Sequence, residues 1–196
     1  MVIALCFTLV RILLSPLFLI IYLYHQDLGI SLILLPYILI LIQGISELSD
    51  LFDGFFARRK NEVTELGKLL DPMADSIFRL SVFLTFTQGI VQLPLILVLF
   101  FFYRDSIIST LRTLCALRGV ALGARLSGKI KAVLQASVTL LILILMIFYS
   151  LGHIDLHLFQ KISMISVLIV CLYTISSGIE YIYANRSYIQ KALNRK

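Results

Sequence analysis

Six times this chain runs for about twenty residues that are apolar at all but a few positions, which is the length an α-helix needs to cross a hydrocarbon core. The candidate spans are Ile3 to Tyr24, Gly29 to Leu48, Leu69 to Phe86, Leu93 to Leu114, Ile130 to Ser150 and Leu158 to Tyr183. They take up most of the 196 residues, of which 60% are hydrophobic and 14% charged, so no soluble domain of ordinary size fits between them. The pattern predicts an all-α, polytopic membrane protein: six transmembrane helices in one bundle, a single domain over residues 1–196. The first stretch lacks a basic leader and a small-residue cleavage pattern, so it is expected to remain as the first span. Pro94 and Pro72 are expected in the first turns of their spans, and Pro16 and Pro36 inside theirs, where they can kink a helix.

Charge is distributed unevenly between the loops. Arg58, Arg59, Lys60 and Lys68 follow the second span, Arg118, Arg125, Lys129 and Lys131 follow the fourth, and Arg186, Lys191, Arg195 and Lys196 lie in the tail. The alternate loops, around His25, Gln88 and Leu151 to His157, hold neither Lys nor Arg. Loops rich in these residues stay on the cytoplasmic side, so both termini are expected there. The net charge of +6 then reflects topology and attraction to anionic membrane lipid, and no nucleic acid is expected as a partner. Cys6, Cys115 and Cys171 lie singly within apolar runs and read as packing residues, with no disulfide implied. The three histidines fall in the loops without Lys or Arg and read as solvated.

Four aspartates break the apolar pattern. Asp50 and Asp53 close the second span; Asp71 and Asp75 open the third. The connecting segment Arg59 to Glu65 is short enough to make the two helices neighbours, and spacings of three and four place each pair on one helix face. Four carboxylates brought together at the edge of a low-dielectric region repel one another unless protons or a cation join them. Oxygen ligands with no His or Cys nearby favour a hard divalent ion, Mg2+ or Mn2+, and such ions commonly complete their shell with phosphate. Helix caps and salt bridges would explain one or two of these acids, and a cation-coupled transporter would use acids too. Transport is better served by acids near mid-bilayer than at span ends.

The run Asp50-x-x-Asp53-Gly54-x-x-Ala57-Arg58, eight residues, Gly67, three residues, Asp71, three residues, Asp75 resembles the complete signature of the CDP-alcohol phosphatidyltransferases. The likeness is strongest to the branch that makes phosphatidylglycerol phosphate, through Thr8-Leu9-x-Arg11, Leu66-Gly67-Lys68-x-Leu70-Asp71-Pro72-x-Ala74-Asp75, Arg104 with an acid after it, Leu111-Arg112, and Gly128-Lys129-Ile130-Lys131 with Gln135. It departs from that branch at Ser76, where Lys is usual, at Ala132 (Thr), at Asp105 (Glu), and at Val2 and Ala4 (Asn and Pro).

The resemblance implies that Asp50, Asp53, Asp71 and Asp75 hold the metal, with Asp75 also the general base on an acceptor hydroxyl. It further implies that Gly54, Ala57, Arg58, Thr64 and Gly67 receive CDP-diacylglycerol. Arg112, Arg118, Lys129 and Lys131 form a second basic group suited to the phosphate of an acceptor such as glycerol 3-phosphate, or, taken singly, snorkelling cations at helix ends. Inositol phosphate, serine or phosphatidylglycerol are the alternative acceptors. Arg104 is expected to pair internally with Asp105, and Arg11 and Arg79 to line the acidic cavity or pair with its acids. By the same resemblance the protein would sit in a bacterial plasma membrane with its active site facing the cytoplasm, and family members are commonly homodimers.

Overall fold

The computed structural model describes residues 2–60, 65–117 and 125–194, with side chains over 9–49, 73–117 and 125–190. Among the described residues there are six helices and no strands: α1 (Val2–Leu23), α2 (Leu35–Lys60), α3 (Glu65–Thr85), α4 (Leu95–Leu117), α5 (Leu126–Ser150) and α6 (Leu156–Asn194). Each corresponds to one apolar stretch, but the ends differ from expectation. α2 begins at Leu35 rather than Gly29 and continues twelve residues past Leu48, α3 starts at Glu65, and α6 carries the basic tail to Asn194. The physical reason is that hydrogen bonding along a helix does not stop where hydrophobicity does, so polar residues extend a helix beyond its apolar part. Arg59, Lys60 and Glu65 therefore belong to helices and not to a loop.

The shifted starts of α2 and α3 correct two proline expectations. Pro36 lies in the first turn of α2, where its missing N–H costs nothing, while Pro72 lies well inside α3. Pro16 is internal to α1 as expected, and Pro94 stands just before α4, its carbonyl accepting from Leu97 N at 3.0 Å. α5 ends in a Schellman turn: His153 N donates to Phe148 O at 2.9 Å and Gly152 N to Tyr149 O at 3.0 Å. The φ of +77° at Gly152 is one that only glycine adopts without strain. Asp155 then caps α6, with Leu158 N donating to its side chain at 3.4 Å.

Among the described residues, Leu126–Ser150 and Leu156–Gln190 are long and apolar enough to cross a membrane, and Leu9–Leu23 and Leu35–Ser49 are shorter apolar helical stretches. Two helices bury polar side chains beside aromatic ones and leave leucines outside. On α1 the buried face carries Arg11, Ser15, Phe18 and Tyr22, while Leu9, Leu13, Leu17 and Ile20 are exposed. On α6 Ser163, Thr174 and Ser177 are buried and Leu168, Ile169 and Leu172 exposed. Water would favour the reverse, whereas a lipid surround leaves apolar side chains outside and gathers polar ones within.

The chain forms two compact units. The first comprises Met1–Leu93 with Thr139–Ser163, the second Pro94–Val138 with Met164–Lys196. In the first, α1 packs on α2 and α3, and α2 touches α3. Phe18 meets Phe78 and Phe86 edge-on at 6.4 and 5.9 Å between ring centres. Tyr22 donates its hydroxyl proton to Gln88 O at 3.0 Å and accepts from Val91 N at 3.2 Å, tying the turn after α3 to the end of α1. Gln43 donates to Thr139 Oγ1 at 2.8 Å, joining α2 and α5 inside that unit.

Candidate functional site

α2 carries Asp50, Asp53, Gly54, Ala57 and Arg58 in one continuous helix, and α3 carries Gly67, Asp71 and Asp75. Asp50 and Asp53 are one turn apart on α2, Asp71 and Asp75 one turn apart on α3, and the two helices are neighbours. The side chains of all these residues except Asp75, and the whole of Thr64 and Arg118, lie outside the described residues. Among the described residues no three His, Cys, Asp or Glu side chains gather.

Asp75 is therefore the acid of the signature whose surroundings can be read. Arg11 of α1 donates Nη1 to its Oδ1, and Arg79, one turn further along α3, donates Nη2 to its Oδ2 at 2.8 Å. Arg11 is 1% exposed and Asp75 22%. A guanidinium so deeply buried must be paired to be tolerated, which is why an arginine in an otherwise leucine-rich helix turns inward here. One donor per oxygen leaves each carboxylate oxygen a further lone pair. The carboxylate is thus held in place without being filled. The expectation that Arg11 and Arg79 pair with acids of this region holds for both.

The second unit holds the basic residues assigned to an acceptor phosphate, and it does not present them alike. Lys131 is buried and donates to both oxygens of Asp105 at 2.9 Å, and Arg104 donates to the same Oδ1 at 3.0 Å. The internal Arg104–Asp105 pair is as expected from the sequence. Lys129 is exposed: two residues along a helix is more than half a turn, so it and Lys131 cannot share a face. Arg112 donates Nε to Tyr181 Oη of α6 at 3.1 Å, with its guanidinium carbon 5.0 Å from the ring centre. At the surface Arg125 pairs with Glu180 at 3.1 Å.

Ser177 and Gly178 escaped the sequence reading. Arg104 donates Nη2 to Ser177 Oγ at 3.2 Å, and a Cβ at Gly178 would come within 3.0 Å of Arg104 Cγ, so the glycine makes the room in which the arginine lies. The signal that was there to be read is the small, polar run Ser176-Ser177-Gly178 in the middle of an apolar helix, a place where backbones or long side chains approach closely.

The chain matches the CDP-alcohol phosphatidyltransferase family over residues 1–176. A CDP-diacylglycerol--glycerol-3-phosphate 3-phosphatidyltransferase of Rickettsia typhi is 28% identical over 183 residues, covering 92% of this chain and 95% of the relative. One of the same name from Bacillus subtilis is 33% identical over 132 residues, 63% of this chain and 67% of the relative. A cardiolipin synthase (CMP-forming) of Streptomyces coelicolor is 39% identical over 69 residues, about a third of each chain. The match takes in all eight positions of the aspartate signature, from Asp50 to Asp75, and with it the chain belongs to the CDP-alcohol phosphatidyltransferase family.

Proposed function

We propose that this protein transfers a phosphatidyl group from CDP-diacylglycerol to glycerol 3-phosphate, giving phosphatidylglycerol phosphate and CMP. What carries the reading is that likeness to enzymes named for that reaction runs nearly end to end, with the signature intact inside it. In the proposed reaction the acceptor hydroxyl oxygen attacks the phosphorus bearing the diacylglycerol group, a P–O bond forms, and the P–O bond to CMP breaks. Asp75 takes the hydroxyl proton on one of the lone pairs its arginines leave open, and Arg11 and Arg79 keep it aimed. Gly54, Ala57, Arg58, Thr64 and Gly67 receive the cytidine diphosphate headgroup. Arg112, Arg118 and Lys129 supply the charge that draws the acceptor phosphate, while Lys131, bonded to Asp105, helps hold α5 to α4 beside them.

An all-carboxylate set fits a hard divalent cation, and Asp50, Asp53, Asp71 and Asp75 would hold Mg2+ or Mn2+. Bound there, such an ion offsets the negative charge of the phosphate oxygens during displacement at phosphorus. We further propose that all six helices cross the membrane as one domain over 1–196, with both termini and the site on the cytoplasmic face of a bacterial plasma membrane, and that the protein forms homodimers. The alternation of loops rich in Lys and Arg with loops that hold neither supports the topology.

The local likeness to a cardiolipin synthase favours one second reading, the same transfer with phosphatidylglycerol as acceptor. Purified protein supplied with labelled CDP-diacylglycerol and, in separate reactions, glycerol 3-phosphate, phosphatidylglycerol, inositol phosphate or serine, with and without Mg2+ or Mn2+, tests both. Metal-dependent CMP release with glycerol 3-phosphate is expected. Release with another acceptor alone changes the substrate, and release with none counts heavily against the enzyme reading.

A further inference from the structure

Arg112 stands on α4 and Tyr181 on α6, 69 positions apart in sequence, yet the two meet through both parts of the tyrosine. The hydroxyl accepts from Arg112 Nε, and the ring lies beneath the guanidinium carbon. Tyr181 is 1% exposed, so it is a fixed wall and not a mobile surface group. Further along α6 the helix meets α4 again. Asn185, one turn on, donates to Tyr181 O at 2.8 Å, and close by Leu111 and Cys115 of α4 pack against Ile189 of α6. Arginine has five N–H donors, and this contact uses the one on Nε. The two terminal nitrogens of Arg112 have no partner among the described residues. Nearby basic groups are spent differently: Lys131 is bonded to both oxygens of Asp105, and Arg125 to Glu180.

We propose that Tyr181 is a positioning residue for the acceptor phosphate: by holding Arg112 through Nε and ring face, it presents the flat terminal edge of the guanidinium, with its paired N–H groups, to a phosphate monoester. The inference rests on the reading of Arg112 as an acceptor-phosphate residue and adds a specificity to it. A guanidinium edge fixed in one plane bonds two phosphate oxygens at once, whereas a freely rotating one must lose side-chain entropy to do so. The device favours acceptors ending in a phosphate monoester over a serine or an uncharged alcohol.

The test measures kcat and KM for glycerol 3-phosphate, and KM for CDP-diacylglycerol, using the full chain in lipid-detergent micelles. Wild type, Tyr181→Phe, Arg112→Ala and the double variant are compared. Tyr181→Phe is expected to raise the glycerol 3-phosphate KM about tenfold, with kcat and the CDP-diacylglycerol KM within about twofold. Once Arg112 is alanine, removing the hydroxyl is expected to add nothing. Additive effects in the double variant, or equal loss for both substrates, would mean a merely structural tyrosine and overturn the proposal. A Tyr181→Phe enzyme with unchanged KM beside an impaired Arg112→Ala overturns it while leaving the phosphate reading of Arg112 standing. Arg112→Ala with unchanged KM removes that reading and the proposal together. Arg112→Lys provides a route that spares Tyr181: it keeps the charge but has no planar fork to hold, so a raised KM is expected, and a wild-type KM there also overturns the proposal.

Discussion

Asp75 in the first unit and Asp105 in the second each sit between two basic side chains, yet their oxygens are filled to different degrees. Asp75 receives one bond on each oxygen, from Arg11 and from Arg79. Asp105 receives Arg104 and Lys131 on Oδ1 and Lys131 again on Oδ2, and its side chain is half as exposed, 11% against 22%. A carboxylate offers about four lone-pair sites. The first aspartate keeps capacity for a proton or a metal ion; the second is largely spent on holding α4 to α5. Similar electrostatic means thus leave one aspartate open, in the place proposed for reaction, and close the other for cohesion, and the signature contains only the former.

The widest expected gap lies in turnover. Asp75→Asn keeps size and one of the two arginine bonds but can no longer take the hydroxyl proton, and CMP release is expected to fall at least about a hundredfold while CDP-diacylglycerol still binds, as measured by lipid co-purification. Asp105→Ala takes from Arg104 and the buried Lys131 the carboxylate they share. The expected cost is about 3 kcal/mol of stability, seen as a large drop in the midpoint of thermal unfolding in detergent. Arg11→Lys keeps the charge beside Asp75 but gives up the rigid guanidinium, and about a tenfold fall in kcat is expected, with both KM values little changed. The smallest effect is at Gly178, where alanine must push Arg104 aside; about 1 kcal/mol of destabilisation is expected, without a change in kcat per folded molecule. If Asp105→Ala instead abolished turnover in folded protein, the contrast between the two acids would be lost.

The elements of the fold were largely legible in the sequence, because helices long enough for a membrane write themselves as apolar runs. Their ends were not: the helical state of Arg58 to Lys60 and of Arg186 comes from backbone hydrogen bonding, which carries no hydropathy signal. The four aspartates stand out in the sequence by their spacing, which the structure takes as far as one helical turn within each pair on neighbouring helices, and Arg104–Asp105 was legible as a pair because the partners are adjacent. The alliance of Arg11 with Asp75 spans 64 positions and could be read only as one of two options, since two inward faces must meet before a pair is defined. Reading Lys129 and Lys131 as one basic group overlooked helical phase, which places one outside and one against Asp105. Tyr181 had no signal of its own. An aromatic near the end of an apolar helix ordinarily reads as an interfacial anchor, and only the crossing of α4 and α6 brings it under Arg112.

The most direct test of the account is the glycerol 3-phosphate-dependent rate of CMP release, at saturating substrates and divided by the folded fraction, for Asp75→Asn and Asp105→Asn prepared side by side. The account predicts that the Asp105 variant retains most of its turnover per folded molecule and that the Asp75 variant is slower by at least about a hundredfold. Equal rates for the two, or an active Asp75→Asn enzyme, would contradict it.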